Sequence, residues 1–293
     1  MSVPQPFPYQ GSKRHLASAI LSYVPNGTTR LIEPFGGSAA LSLAALATRK
    51  VSHVVIADSD QPLMALWNAI LWAPEALAEG YRALWEAQLG QERLFYARVR
   101  DAFNRQGCPD QLLYLLARCV KASVRYNERG EFNQSADHRR KGAKPQTVRK
   151  RLMETHALLR GRATLLCADY RETLQLATPY DVVYLDPPYA GVAQRDKRYR
   201  ARLDRADFFE TLHALNERQI AYLLSYDGRT GEKTYSPPLP ESLGLLRLEL
   251  YAGCSSQATL NGKRAFTYES LYLSPTLQAR LSAAPVQLEL FVA

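Results

Sequence analysis

The sequence predicts an α/β protein: a doubly wound, mostly parallel sheet interrupted by a mostly helical insertion. Three observations carry this expectation. Apolar runs that end in an acid recur at Arg30–Glu33, Val54–Asp58, Arg162–Asp169 and Asp181–Asp186. Continuous apolar runs of this length mark strands covered on both faces, not the alternation of a half-solvated sheet. The first run leads through Pro34-Phe-Gly-Gly37 into the small-residue stretch Leu41–Ala47, which reads as strand, glycine loop and a helix able to pack close to the sheet. Between the second and third runs, residues 62–124 show helical periodicity.

Taken in order, Phe7–Lys13 is a polar turn leading into a helix at His15–Leu21. Asp58 closes the second strand twenty-five residues after Glu33. That spacing fits the acid of a nucleoside-binding strand–helix–strand unit, where a carboxylate grips ribose hydroxyls. Leu77, Tyr81, Leu84 and Trp85 share one helical face, Phe95, Val99 and Phe103 another, and Leu112, Leu116, Cys119 and Val120 a third. These stripes read as core. Arg125–Asn133 is turn-prone and places aromatic and amide side chains among arginines, the residue types that stack on bases and read their edges. The strand pattern then returns. The expected layout is a split domain of residues 1–61 and 160–275, an insertion at 62–159 and a tail at 276–293. Residues 190–205 read as a basic loop and Ile220–Tyr226 as a further strand. Gly244–Tyr251 and Ala265–Leu273 read as an antiparallel pair around Asn261-Gly262. The tail reads as loose until Gln287–Phe291.

The chemistry concentrates at Asp181–Tyr189, Asp-Val-Val-Tyr-Leu-Asp-Pro-Pro-Tyr. Pro187 and Pro188 have no N–H for a ladder, so the strand stops and Asp186 sits at its carboxyl end, the edge at which open α/β sheets bind ligands. An exocyclic amino group on a nucleobase is a poor nucleophile, because its lone pair is delocalised into the ring. A carboxylate at 186 taking one of its protons and the Pro187 carbonyl the other would draw that nitrogen toward tetrahedral geometry. Tyr189 would stack on the base, which must first leave the duplex. The bland alternative is an ordinary turn after a core strand.

Charge points the same way. The chain of 293 residues carries a formal net charge of +9. Residues 118–151 hold eleven Lys/Arg against three acids, and residues 195–205 hold six against two, so the rest of the chain is slightly acidic. A basic stripe on an acidic body suits a polyanion, with nucleic acid the leading candidate over a merely solvated face. Cys108, Cys119, Cys167 and Cys254 never form a CxxC pair and the five histidines are scattered, so neither a zinc site nor disulfides are expected. No stretch approaches a membrane span and the N-terminus lacks the features of a secretion signal, so a cytoplasmic protein is expected.

The ordered set of Tyr9–Lys13, Glu33-Pro-Phe-Gly-Gly37, Ala57-Asp58, Arg125-Tyr-Asn127 with Gly130–Asn133, Ala168–Tyr170 and Asp186–Tyr189 resembles the Dam-like (D12, alpha-type) DNA adenine-N6 methyltransferases. The likeness runs to about residue 273. It implies a Rossmann-like methyltransferase sheet, S-adenosylmethionine as methyl donor and duplex DNA as substrate. It further implies Tyr9 on the cofactor adenine, Lys13 near cofactor and target base, Gly36 and Gly37 beside the methionine moiety, Asp58 on the ribose and Asp169 toward the adenine. Glu33, Phe35, Tyr170 and Asp186 complete the implied cofactor set, and Asp186, Pro187 and Tyr189 the catalytic one. Lys121, Arg125, Tyr126, Asn127, Asn133, Arg139, Arg140 and Lys141 are the implied DNA contacts. A bacterial or phage-encoded monomer, with or without a partner endonuclease, is the expected setting. Two departures stand out: Ala39 occupies a position that is usually glycine, and Val120 and Lys121 stand where GATC-specific relatives place Tyr and Asn, so GATC does not follow. Gln287–Phe291 resembles a peptide that docks on the replicative sliding clamp, or is a terminal strand packed on the body.

Other readings stay open at this point: the same chemistry on RNA adenine, on cytosine N4 or on a protein amide, an NAD-linked oxidoreductase, or a DNA-binding module without catalysis. Asp at 186 favours adenine. The absence of a complete GxGxxG disfavours the oxidoreductase.

Overall fold

The computed structural model of the chain describes residues 3–188, 203–231, 233–234, 239–254 and 266–283. Five strands run parallel: β1 (Arg30–Glu33), β2 (His53–Asp58), β3 (Ala163–Cys167), β4 (Val182–Leu185) and β5 (Ala221–Thr230). β6 (Lys233–Thr234) folds back on β5, β8 (Phe266–Leu273) lies antiparallel on β5, and β7 (Leu246–Cys254) lies antiparallel on β8. The order is β3-β2-β1-β4-β5-β8-β7. Strand order therefore reverses between β1 and β4, and their carboxyl ends open the crevice where a doubly wound sheet takes its ligand.

The four residues of β4 are all buried, as their unbroken apolar run requires. Alternation then splits the core. Val182 and Tyr184 join the cluster formed with α1 (Ala17–Leu21), α2 (Ala40–Ala47), α3 (Gln61–Trp72) and α7 (Pro145–Leu159) on one face. Val183 and Leu185 join the smaller cluster with α8 (Tyr170–Gln175) and α9 (Arg205–Glu217) on the other. β3 departs from expectation: it is the sheet edge, and none of its residues is fully buried, with Thr164 and Cys167 exposed.

The stretch between β2 and β3 is helical as expected, with α3 and α7 joined by α4 (Pro74–Ala87), α5 (Glu92–Gln106) and α6 (Pro109–Arg118). Proline at the first or second position opens α3, α4, α6 and α7, where its missing N–H costs nothing. α3 packs on β2 and β3 and α7 on α2, while α4, α5 and α6 pack outward from them. The tail corrects the sequence reading. Residues Pro275–Ala283 form a helix, α10, whose Leu277 is buried against the sheet. Ser274 accepts the Leu277 N–H with its hydroxyl, and with proline at the first helical position this is a complete start signal. Gln287–Phe291, the Asn261-Gly262 turn and most of the basic loop at 190–205 lie outside the described residues.

Candidate active site

Asp186 follows β4 directly, on the side of the sheet that Tyr184 faces. Lys13, from the short 3-10 turn Lys13–His15, places its Nζ 3.0 Å from Asp186 Oδ1 and 3.2 Å from Oε2 of Glu269 on β8. The lysine side chain is 8% exposed and the two acids about one fifth, at 20% and 19%, so these pairs are not the screened kind found on open surfaces. Burial pushes the Asp186 carboxyl up to about 6, with Lys13 opposing the rise and Glu269 adding to it. Beneath them the Tyr184 hydroxyl and Ser225 Oγ are 3.0 Å apart, linking β4 to β5.

The glycine loop follows β1, the strand paired with β4. Glu33, buried at the end of β1, accepts the Ser42 N–H at 3.1 Å and its hydroxyl at 2.5 Å, which fixes the start of α2 to the strand. Burial raises Glu33 to about 8, against the pull of these two bonds. The Gly36 N–H donates to the Ala57 carbonyl at 2.7 Å. A Cβ on Gly36 would stand 2.8 Å from Ile56 Cγ2 and 2.9 Å from the Ala57 oxygen, so only glycine lets the loop lie this close to β2. Gly37 has φ +46° and lies under the Tyr9 ring, 3.2 Å from where its Cβ would be. Ala39 has φ 47°, in the left-handed region that favours glycine; the departure noted in the sequence is thus a strained position. Trp67 of α3 holds the loop by donating Nε1–H to the Gly37 carbonyl at 2.9 Å. Ser12 and Ser38 bond through their hydroxyls at 2.8 Å and tie the N-terminal turn to it.

Asp58 faces the same loop. Its Oδ2 accepts the Gly37 N–H at 3.0 Å and its Oδ1 the Asp60 N–H at 2.9 Å. Burial raises its carboxyl above the ordinary range while these backbone bonds oppose the rise. Asp169 caps α8, accepting the Arg171 N–H at 3.0 Å. Tyr170 is buried and stacks on Phe35 with ring centres 5.1 Å apart, so it supports Phe35 from below.

Residues Arg125–Asn133 form a tight hairpin. Tyr126 pairs with Phe132 across it, and Asn133 N–H donates to the Arg125 carbonyl at 2.9 Å. Asn104 of α5 grips Phe132 through both backbone groups, at 2.8 and 3.0 Å. Arg125 and Asn133 are exposed, as are Lys121, Arg139, Arg140 and Lys141. Asn127 closes the turn, accepting the Arg129 and Glu131 N–H groups, and its amide donates to Glu131 Oε2. Two expectations are corrected. Tyr126 is 3% exposed and donates its hydroxyl to Asp60 at 2.9 Å, so it anchors the hairpin to the end of β2 and is not a ring free to stack on bases. Arg118, counted in the basic stretch, is buried among Gln88 and Tyr114 and adds no surface charge. Arg139 and Arg140 both pair with Asp137, and Lys141 with Glu92.

Lys13 and Asp186 thus meet at the end of β4, Tyr9, Gly37 and Asp58 meet beside Gly36 at the ends of β1 and β2, and the Ser12–Ser38 bond ties the turn that carries Tyr9 and Lys13 to the glycine loop. Tyr189 lies outside the described residues. Sequence reasoning missed Glu269, whose alternating strand Phe266–Leu273 makes an acid read as solvent-facing, and Asp60, which looked like a turn residue. Among the described residues no His, Cys, Asp and Glu group could hold a metal ion, and no helix is long and apolar enough to cross a membrane.

Residues 9–247 match the family model of the D12 class N6 adenine-specific DNA methyltransferases. The retron Ec67 DNA adenine methylase of Escherichia coli is 32% identical over 189 residues, covering 62% of this chain and 62% of that protein. The DNA adenine methylase of Serratia marcescens is 30% identical over 189 residues, covering 63% of this chain and 66% of its own. The chain thus spans somewhat under two thirds of the relatives it matches. A solved rRNA methylase from Streptococcus thermophilus overlays 90% of this chain and 97% of its own at 9% identity and a TM-score of 0.34, too loose a likeness to argue from.

Proposed function

The chain belongs to the D12 class N6 adenine-specific DNA methyltransferase family, and from that premise we propose that it transfers a methyl group from S-adenosylmethionine to N6 of an adenine extruded from duplex DNA. The observation that carries the reading is Asp186, a largely buried carboxylate at the carboxyl end of β4, at the point where strand order reverses and beside the strand that the glycine loop follows. Its Oδ atoms accept one N–H of the amine and the Pro187 carbonyl accepts the other, which localises the nitrogen lone pair for attack. Asp186 acts as an acceptor in its ionised form. With the carboxyl at about 6, transfer rises as pH is raised through that value.

The residues present suit S-adenosylmethionine. The turn at 36–37 carries no side chain and lies against the Tyr9 ring, and acids stand at the ends of β2 and β4 to meet hydroxyls and a cationic sulfur. When bound, this cofactor supplies an electrophilic methyl on a sulfonium. Tyr9 and Phe35, the latter backed by Tyr170, would hold its base, Gly36 and Gly37 would border its methionine part, Asp58 would accept from the ribose, and Asp169 would approach the adenine. Glu33 holds the loop from behind. Residues 62–159 form the recognition unit: Lys121, Arg125, Asn127 and Asn133 on the hairpin meet base edges, while Arg139, Arg140 and Lys141 meet phosphates. The enzyme works as a cytoplasmic monomer, and Gln287–Phe291 is a candidate clamp-docking peptide that deletion of residues 286–293 would test.

Incubation with tritiated S-adenosylmethionine and duplex DNA tests the reading. Label should appear on adenine N6, and Asp186→Ala should abolish transfer while duplex binding stays within about twofold. Label on RNA, on cytosine or on protein, or no label with either nucleic acid, refutes it.

A further inference from the structure

Lys13 Nζ lies on Asp186 Oδ1, an oxygen that the incoming amine needs. The same ammonium is held at 3.2 Å by Glu269, an acid outside the family pattern read from the sequence. We propose that Glu269 is a positioning residue for methyl transfer, giving Lys13 a second carboxylate to rest on so that Asp186 is released as a nucleobase amine arrives. The inference rests on the reading of Asp186 as the acceptor for that amine.

The fold is arranged to bring Glu269 there. β5 advances three residues between its pairings Ser225↔Leu271 and Gly228↔Glu269, while β8 advances two. This bulge bends β5, as an extra residue in an antiparallel pair does. Gly228, at its end, has no side chain, and a Cβ there would stand 2.7 Å from the Tyr268 carbonyl oxygen. β8 can therefore press close at the one position where its inward side chain reaches Lys13. Leu271 and Leu273, at the same alternation as Glu269, are buried in the larger core cluster, so that face of β8 is turned inward. The described groups that bear on Asp186 are Lys13, Glu269, Tyr184 and, more remotely, Glu33. With burial keeping Tyr184 well above its ordinary value and Glu33 raised to about 8, neither is ionised near neutrality. Asp186 and Glu269 then share one cation. A lysine between two carboxylates can change its nearer partner with a small rotation of its own chain, without a backbone movement.

Glu269→Gln leaves a neutral acceptor in nearly the same shape. Of the two carboxylates described on Lys13, only Asp186 then keeps a charge, so the ammonium is held toward it. Three readouts follow. In the free protein, ¹³C-carboxyl NMR, with the Asp186 signal assigned by its loss in Asp186→Asn, should show Asp186 titrating at lower pH in Glu269→Gln than in the parent. In steady state, kcat should fall about tenfold or more, the order of loss for a misplaced reacting group, with KM for the cofactor little changed and the acid limb of the kcat profile moved down in pH. Glu269→Asp should recover most of both. The NMR titration needs no methyl transfer, so failure of the proposed activity leaves that readout standing. An Asp186 titration that Glu269→Gln does not move overturns the inference, as does a moved titration with unchanged kcat in an active parent.

Discussion

Glu33→Gln tests the reasoning about burial in its simplest form, because one side chain and one hydrogen-bond partner are involved. Glu33 is 4% exposed, and its carboxyl is raised to about 8 from an ordinary value of 4.5. A carboxyl whose folded value lies above its unfolded one binds a proton more tightly in the native state. Stability is then highest below the unfolded value and declines as pH rises toward the folded one. Each pH unit within that window costs about 1.4 kcal/mol. The parent should lose on the order of 5 kcal/mol between pH 4.5 and 8 through this group alone, with relaxation of the site reducing the figure. Glutamine keeps an oxygen for Ser42 and has no proton to lose. Thermal unfolding followed by circular dichroism at half-unit steps from pH 5 to 9 reads the difference. Glu33→Gln should match the parent near pH 5 and gain steadily above it, reaching an advantage on the order of 10 °C by pH 8. A constant offset across the range would show that Glu33 ionises normally and that its burial is not what holds the proton.

Gly36→Ala should destabilise the protein by about 1–3 kcal/mol, because both clashing groups, Ile56 Cγ2 and the Ala57 carbonyl, belong to a central strand that cannot yield; equal denaturation midpoints for variant and parent would refute the close approach. Tyr126→Phe removes only the hydroxyl that bonds to Asp60, and should cost about 1 kcal/mol and raise hydrogen exchange at the Arg125–Asn133 amides above that of the sheet. Exchange unchanged at those amides would mean that Phe132 and Asn104 hold the hairpin alone. Reversing charge at Arg139, Arg140 and Lys141 should weaken binding of every duplex alike and flatten its salt dependence by about one unit of slope for each phosphate that is no longer neutralised. An effect confined to one sequence would instead mark these residues as base readers.

The parts of this molecule that could be read from sequence are those in which local chemistry and final environment agree. β1, β2 and β4 are apolar on both faces wherever they are placed, and two prolines after Asp186 end β4 in any context. The acids at 33, 58 and 186 follow, since a strand's end is a position along the chain as much as a place in space. What could not be read depends on distant partners. Tyr126 sits among arginines and looks like a stacking ring until Asp60, sixty-six residues away, takes its hydroxyl. Arg118 looks like surface charge until α4 and α6 close over it with Gln88 and Tyr114. β3 has the composition of a covered strand but ends the sheet, because β2 is its only described neighbour. α10 differs from these: Ser274 and Pro275 are a local start signal for it, set against the loose composition of the residues beyond.

The charges of the crevice suit the proposed reaction. Near neutral pH, Glu33 keeps its proton and Asp186 has lost most of its own, since their carboxyls lie at about 8 and about 6. Lys13 sits between Asp186 and Glu269, one ammonium against two carboxyl groups. A sulfonium would bring a positive charge to such a site, and an amine attacking its methyl would acquire that charge as the sulfur leaves as a neutral thioether. The acids therefore favour both the bound donor and the nitrogen as it turns cationic, and Lys13 keeps the pair of carboxylates from repelling each other before either arrives. An ionised Glu33 would add a further negative charge close to Asp186. Its burial behind the glycine loop holds it protonated near neutrality and so keeps that charge away from Asp186.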